Sequence, residues 1–339
     1  MALPSLLIFD MDGVLVDVRS SYRVAVAQVV QCYLRDGLGF NLSQTLVTPA
    51  HVTAGKLMGG FNNDWDLTAG LIGYFLAQLP VLPAPTAPLP DLDAILAFLA
   101  QTPQPEDAER RLQAAADRFG ALIEPVRQAG GALNGLRQVI GARNEGLVFY
   151  HGDLATTNLV LRLFQEIYLG PALLAALYQV QPRFQHAAGL IDGETLLINP
   201  ATLTTLAQGR RLAIATGRLR AEATYTLERL GLASCFEFCV THDDVVVAEA
   251  AAGLGVRLGK PSPWPLLTAS ARLDPGGALA AAYIGDTPDD ILAAQRARAE
   301  RPFLAIGVSA VGGASLHGHL RAAGADIVLH ATDDLLTLA

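Results

Sequence analysis

At 339 residues with 51% apolar side chains, the chain is long enough for two domains and a large buried core. A formal net charge of −8 disfavours nucleic acid, whose binding rests on neutralising phosphates, but leaves room for a small phosphorylated molecule in a local cationic pocket. Mean hydropathy is +0.34, yet the most apolar stretches, residues 94–100 and 169–180, fall short of the roughly 20 residues a spanning helix needs, so no membrane association is expected.

In chain order, residues 6–9 read as a short buried strand, with no basic start or cleavage site before it. From about residue 20 to 185 the periodicity turns helical, most clearly over 22–34, 112–128 and 159–169. Residues 79–90 carry five prolines, which suit neither a helix interior nor a central strand, and read as an extended connector. An alternating pattern resumes near residue 211. Strands are predicted over 212–215, 236–241, 281–284, 303–308 and 327–329. Helices are predicted over 221–230, 263–273, 288–299 and 316–323. Short buried strands alternating with helices imply an α/β fold with a doubly wound parallel sheet. A helical domain interrupts it after its first strand. The expected boundaries are residues 1–17 and 202–339 for the α/β core and 18–201 for the insertion. Three sparse cysteines, Cys32, Cys235 and Cys239, argue against a disulfide framework and for a reducing, cytoplasmic setting. Cys235 and Cys239 lie in an apolar run and are expected to be buried thiols.

Four segments carry the candidate chemistry. Asp10 and Asp12 follow the first strand, at the end where open parallel sheets bind ligands. Residues i and i+2 of a strand project to one side, so two carboxylates there repel unless a cation or proton lies between them. Taken alone, the pair also suits a solvated turn at Gly13. Asp286 again follows a strand, with Asp289 and Asp290 close behind. A third carboxylate meeting the first two would complete an oxygen-donor site that suits Mg²⁺. Alone, this segment reads equally as a helix N-cap. Thr216-Gly217-Arg218 offers a hydroxyl and backbone N–H groups at a helix start, an anion site or a plain turn. Lys260 beside Pro261 offers a charge that neutralises phosphate, or a solvated lysine.

In this order the four segments resemble the signature motifs of the haloacid dehalogenase-like superfamily. Asp10-Met11-Asp12-Gly13 is similar to its first motif, Thr216 to its second, Lys260 to its third, and Gly285-Asp286 with Asp290 to its fourth. The resemblance implies a Rossmann-like core and roles for these residues. Asp10 would be the nucleophile, forming an aspartyl-phosphate, and Asp12 the acid/base. Asp10, Asp12 (through its backbone carbonyl) and Asp286 would hold Mg²⁺. Thr216, Gly217, Arg218 and Lys260 would bind the phosphoryl group, and Lys260 would keep Asp10 ionised. Asp290 would support Lys260 or the groups around the metal. The dehalogenases lack the second aspartate, so its presence points to phosphoryl transfer. The insertion is similar to the helical cap of phosphoglycolate phosphatase-like members but much longer. Such a cap would choose the substrate, a small phosphorylated metabolite. The opening Phe9–Val18 followed by Ser21-Tyr22-Arg23 is similar to a phosphatase-like subgroup, with Arg19, Tyr22 and Arg23 on the first cap helix. Alternatives are a phosphomutase using the same intermediate and a non-catalytic binding protein. The apolar cap suggests a homodimer.

His151-Gly152-Asp153 with Asn158 resembles the catalytic loop of aminoglycoside-kinase-like enzymes, but no aspartate follows Asp153 until Asp192, so Asp153 or Thr157 is expected to cap a helix. His317 and His319 lack further metal ligands and read as surface. His242, with Asp243 and Asp244, reads as a pocket wall or a turn.

Overall fold

The computed structural model describes residues 3–61 and 63–338. They form two compact units, one made of the chain up to Val18 and from Glu194 onward, the other of Arg19–Gly193. The first unit is built on strands β1 (Leu6–Phe9), β2 (Val16–Asp17), β3 (Thr195–Leu196), β4 (Arg211–Ala215), β5 (Phe238–Val240), β6 (Ala281–Gly285), β7 (Phe303–Val308) and β8 (Ile327–Leu329). Six of them make one parallel sheet in the order β5-β4-β1-β6-β7-β8. The fold is α/β and doubly wound. A sheet covered on both faces needs strands apolar on both sides, and β1 and β6 are buried at every position. Small residues let helices approach closely: Ala213, Ala269, Ala293 and Ala294 share a core with Leu6, Ile8 and Leu266.

The order of strands reverses between β1 and β6. Chain segments after β1 build outward first through β4 and β5, then on the other side through β6, β7 and β8. Such a reversal leaves a crevice at the carboxyl ends of the strands. Asp10 follows β1 there, and Asp286 follows β6.

The chain leaves and re-enters this unit through a two-stranded antiparallel ribbon, in which Val16 pairs with Leu196 and Asp17 with Thr195. The expected return at residue 202 is therefore too late. Residues 194–201 belong with the α/β unit, and a two-residue strand has too little pattern to be read from sequence. The helix His242–Ala252 was likewise not anticipated. His242 opens it, and Asp244 accepts from the backbone N–H of Thr241 at 2.8 Å as half of a capping box. Cys235 and Cys239, expected to be buried, are only half-buried, Cys239 lying on the sheet's edge strand β5.

The described residues of the second unit contain helices and connectors. The first helix, Tyr22–Cys32, runs into a π-turn over Tyr33–Gly37. Tyr22 stacks on Tyr168 with ring centroids 4.2 Å apart, and Arg23 donates to Thr53 at 3.2 Å. The proline stretch is irregular, as expected. Asn144 ties it to the helix Asp64–Ala77: its Oδ1 accepts from Leu82 N (2.8 Å), and its Nδ2 donates to the carbonyls of Pro80 and Leu76 (both 2.9 Å). Asn158 caps the helix Leu159–Tyr178 by accepting from Leu161 N at 2.9 Å, a role expected of Asp153 or Thr157.

That helix corrects the expectation about membrane-length segments. By length and apolarity alone it is able to cross a membrane, with 20 residues and a mean hydropathy of 1.4 over its most apolar window. In that window 67% of the residues are buried, and the helix is kinked at Gly170 (φ 71°) before Pro171. It also carries a buried Arg162–Glu166 ion pair. Glu166 Oε2 accepts three further backbone N–H groups, from Arg183, Phe184 and Gln185, at 2.9, 2.6 and 3.0 Å.

Candidate active site

Asp10 is placed by the sheet itself, since its backbone N–H donates to Ile284 O at 2.8 Å and extends the β1–β6 ladder by one bond. The carboxylate is buried (6% exposed) and accepts from Met11 N at 2.8 Å through Oδ1. Its Oδ2 lies 2.9 Å from Lys260 Nζ. Lys260 reaches two more acceptors, Asp290 Oδ1 at 2.7 Å and Tyr283 Oη at 3.0 Å. An ammonium has three N–H donors, and these three groups match them.

Asp290 is fixed from the other side. Its Oδ2 accepts from Asp286 N (3.1 Å), Thr287 N (2.9 Å) and Thr287 Oγ1 (2.7 Å), closing a capping box on the helix Pro288–Ala297. The N-cap reading and the site reading of this segment thus both hold, because one carboxylate does both jobs. Asp286 Oδ2 stands close to Gly13, where a Cβ would sit 2.0 Å from it. Gly13 also has φ +74°, a region that favours glycine. Only glycine lets the Asp12–Gly13 turn pass so near this carboxylate. Carboxylate oxygens of Asp10, Asp286 and Asp290 all lie within 4.8 Å of one another.

Burial pushes the Asp10 carboxyl up to about 7, Lys260 opposing and Asp290 and Asp12 adding to the rise. Burial also works against charge on Lys260, but the Asp10 and Asp290 carboxylates overcome it and hold the ammonium well above the ordinary lysine range. One buried cation shared by two carboxylates leaves an excess of negative charge, and Asp10 carries the cost. The oxygen-only donor set and this excess charge fit a hard divalent cation of the Mg²⁺ kind.

Thr216 continues β4, its N–H donating to Val240 O at 2.9 Å; its buried hydroxyl accepts from Arg218 N at 3.2 Å. Gly217 forms the bend between them. Arg218, expected to bind substrate, has its guanidinium elsewhere. Nε and Nη2 both donate to Asp12 Oδ1, at 2.7 and 2.6 Å. Nη1 and Nη2 fork onto the two oxygens of Glu194 at 3.0 and 3.1 Å, and Nη1 also reaches Thr226 Oγ1 at 2.9 Å. Asp289 is buried at the start of the Pro288–Ala297 helix.

Sequence reasoning missed Glu194, Thr226 and Tyr283. Tyr283 had a faint signal, a polar tip inside the apolar strand that leads to Asp286. Glu194 had none, since nothing in a loop-like stretch links it to residue 218.

The haloacid dehalogenase-like hydrolase family model matches residues 4–298. Among solved structures, an X-ray structure of a structural-genomics target is similar over 100% of this chain and 98% of its own, with TM-score 0.59 and 21% identity. The phosphatase Tt82 from Thermococcus thioreducens is similar over 93% of this chain and 99% of its own, with TM-score 0.53 and 21% identity. At this identity the likeness concerns the fold. Among curated proteins, none matches the sequence. A family match that spans four of the sheet's six strands, the insertion and all four candidate segments settles membership: the chain belongs to the haloacid dehalogenase-like hydrolases.

Proposed function

We propose that the protein is a magnesium-dependent phosphatase that hydrolyses a small phosphate monoester in two steps through an aspartyl-phosphate on Asp10. The observation that carries this reading is the pairing of a buried, strand-terminal Asp10 with Lys260 at 2.9 Å, beside the Asp286 and Asp290 carboxylates. Asp10 and Asp286 would hold the Mg²⁺, with Asp12 contributing its backbone carbonyl; when bound, the ion neutralises charge on the phosphoryl oxygens.

Asp10 attacks phosphorus, its oxygen–phosphorus bond forming as the bond to the leaving oxygen breaks. Asp12 donates a proton to that oxygen. It then takes a proton from the water that attacks phosphorus, which frees the Asp10 carboxylate and inorganic phosphate. Lys260 holds the Asp10 carboxylate in one orientation throughout, and Thr216 offers its hydroxyl to a phosphoryl oxygen. Phosphoryl transfer depends mostly on positioning and charge, which a rigid, buried array of this kind supplies.

The test is phosphate release from an aryl phosphate with Mg²⁺. Activity is expected in the wild-type protein, with loss of at least about 100-fold on Asp10→Asn or on chelation. Full activity in either case would sink the mechanism. Transfer of the phosphoryl group back to a sugar, with little free phosphate, would instead mark a mutase.

A further inference from the structure

Asp12 does not stand alone on its turn; it is the partly exposed end of an ionic chain whose other members are buried. Arg218 (2% exposed) joins it to Glu194 (1% exposed), its guanidinium donating to Asp12, Glu194 and Thr226. Glu194 is fixed three times over. Arg218 forks onto its carboxylate, Thr226 Oγ1 donates to Oε2 at 3.2 Å, and Arg229 Nη2 donates to its backbone carbonyl at 2.9 Å. Glu194 is also the first residue of the α/β unit after the insertion, directly before β3, whose partner β2 continues from the Asp12 turn.

Stability does not account for this arrangement. Arg218 and Glu194 are buried while Asp12 stays partly exposed, and well-packed apolar residues serve a core as well as a buried ion pair or better. What the fork supplies is geometry, since a planar guanidinium held at one edge by Glu194 presents its other edge in one direction only. That direction is the Asp12 carboxylate.

Resting on the phosphatase reading above, we infer that Arg218 and Glu194 are positioning residues for leaving-group protonation: Glu194 aims Arg218, and Arg218, donating to Oδ1, orients the Asp12 carboxyl so that its other oxygen, Oδ2, carries the proton to the leaving oxygen. The role of Arg218 is therefore on the acid/base, not on the phosphoryl group. Substrates whose leaving group needs a proton depend on this aim. Substrates that expel a stable phenolate do not.

The experiment compares kcat/KM, which reports the steps through leaving-group departure, for an alkyl phosphate (glycerol phosphate) and for 4-nitrophenyl phosphate, both with Mg²⁺. Glu194→Gln and Thr226→Val are measured beside wild type, with Glu194→Asp as the conservative variant. For Glu194→Gln, the alkyl-to-aryl ratio is expected to fall by about tenfold or more, within the range of general acid catalysis. The loss should lie in kcat rather than KM. Thr226→Val, which removes a single hydroxyl and keeps the side chain's shape, should lower the ratio by a few-fold, and Glu194→Asp should restore part of it. A purely structural role would lower both substrates equally, in step with the folded fraction. An unchanged ratio in folded Thr226→Val and Glu194→Gln overturns the inference; if Glu194→Gln does not fold, an unchanged ratio in Thr226→Val alone overturns it. No phosphate release from either substrate by the wild-type protein overturns the phosphatase reading itself, and this inference with it.

Discussion

Tyr283 contributes one hydroxyl, and three segments of the site meet on it. It accepts from Lys260 Nζ at 3.0 Å, donates to Ala215 O at 2.9 Å just before Thr216, and lies 3.3 Å from Asp290 Oδ1. The side chain is wholly buried in β6. Tyr283→Phe keeps the ring and removes the hydroxyl, leaving Lys260 with two of its three acceptors and the Ala215 carbonyl without this donor. The expected result is a loss of stability of about 1–3 kcal/mol in urea unfolding and a fall in kcat of about tenfold with little change in KM. Unchanged kcat would show that Lys260 holds its aim without the tyrosine.

Asp10 makes a second prediction at this scale. Burial raises its carboxyl from an ordinary 3.8 to about 7, so the folded protein binds a proton there more tightly than the unfolded chain does. Its contribution to stability is complete below about pH 4 and is lost as pH rises through about 7. In metal-free protein, the Tm should therefore fall between about pH 4 and pH 7. Asp10→Asn should flatten that slope. An equally steep fall in the variant would assign the effect to other groups.

Among the elements, the strands were the legible part. Leu6–Phe9, Phe303–Val308 and Ile327–Leu329 lie where their apolar runs end, because a strand buried on both faces leaves an uninterrupted signature. The segment from Gly285 to Asp290 was legible for a related reason, since a strand must end before a capped helix begins. Gly285 permits that tight passage: a Cβ on it would lie 2.3 Å from Asp290 Cβ. Asp10, Lys260 and Asp286 could be named because each sits next to a strand end, a helix start or a proline. Arg218 could be named but not assigned, because what its guanidinium touches depends on Glu194, 24 residues away, in a segment with no periodicity. Element ends also moved where local chemistry overrode pattern. The helix predicted over residues 112–128 is broken by a 3₁₀ turn at Phe119–Leu122 into Ala108–Arg118 and Ile123–Gln128.

At the scale of the whole molecule, the helical insertion was legible as helix but not in its detail. Its long helix Leu159–Tyr178 hides a kink at Gly170 and a buried Arg162–Glu166 pair inside a composition that would suit a membrane. Charged groups are tolerated in that apolar setting because Glu166 is met by a guanidinium and three backbone N–H groups. The α/β unit, by contrast, gathers the buried charges of Asp10, Lys260 and Asp290 at the carboxyl ends of β1 and β6. A stable fold has no need of so many ionisable groups at one sheet end, and their gathering there is the whole-molecule reason to read the site as chemical. The central claim is that Asp10 becomes phosphorylated. Protein mixed with an aryl phosphate and Mg²⁺, quenched in acid within the first turnover and reduced with borohydride, should carry homoserine in place of aspartate at position 10 and nowhere else. Aspartate left intact at position 10 while phosphate is released, or reduction at another carboxylate, would contradict the account.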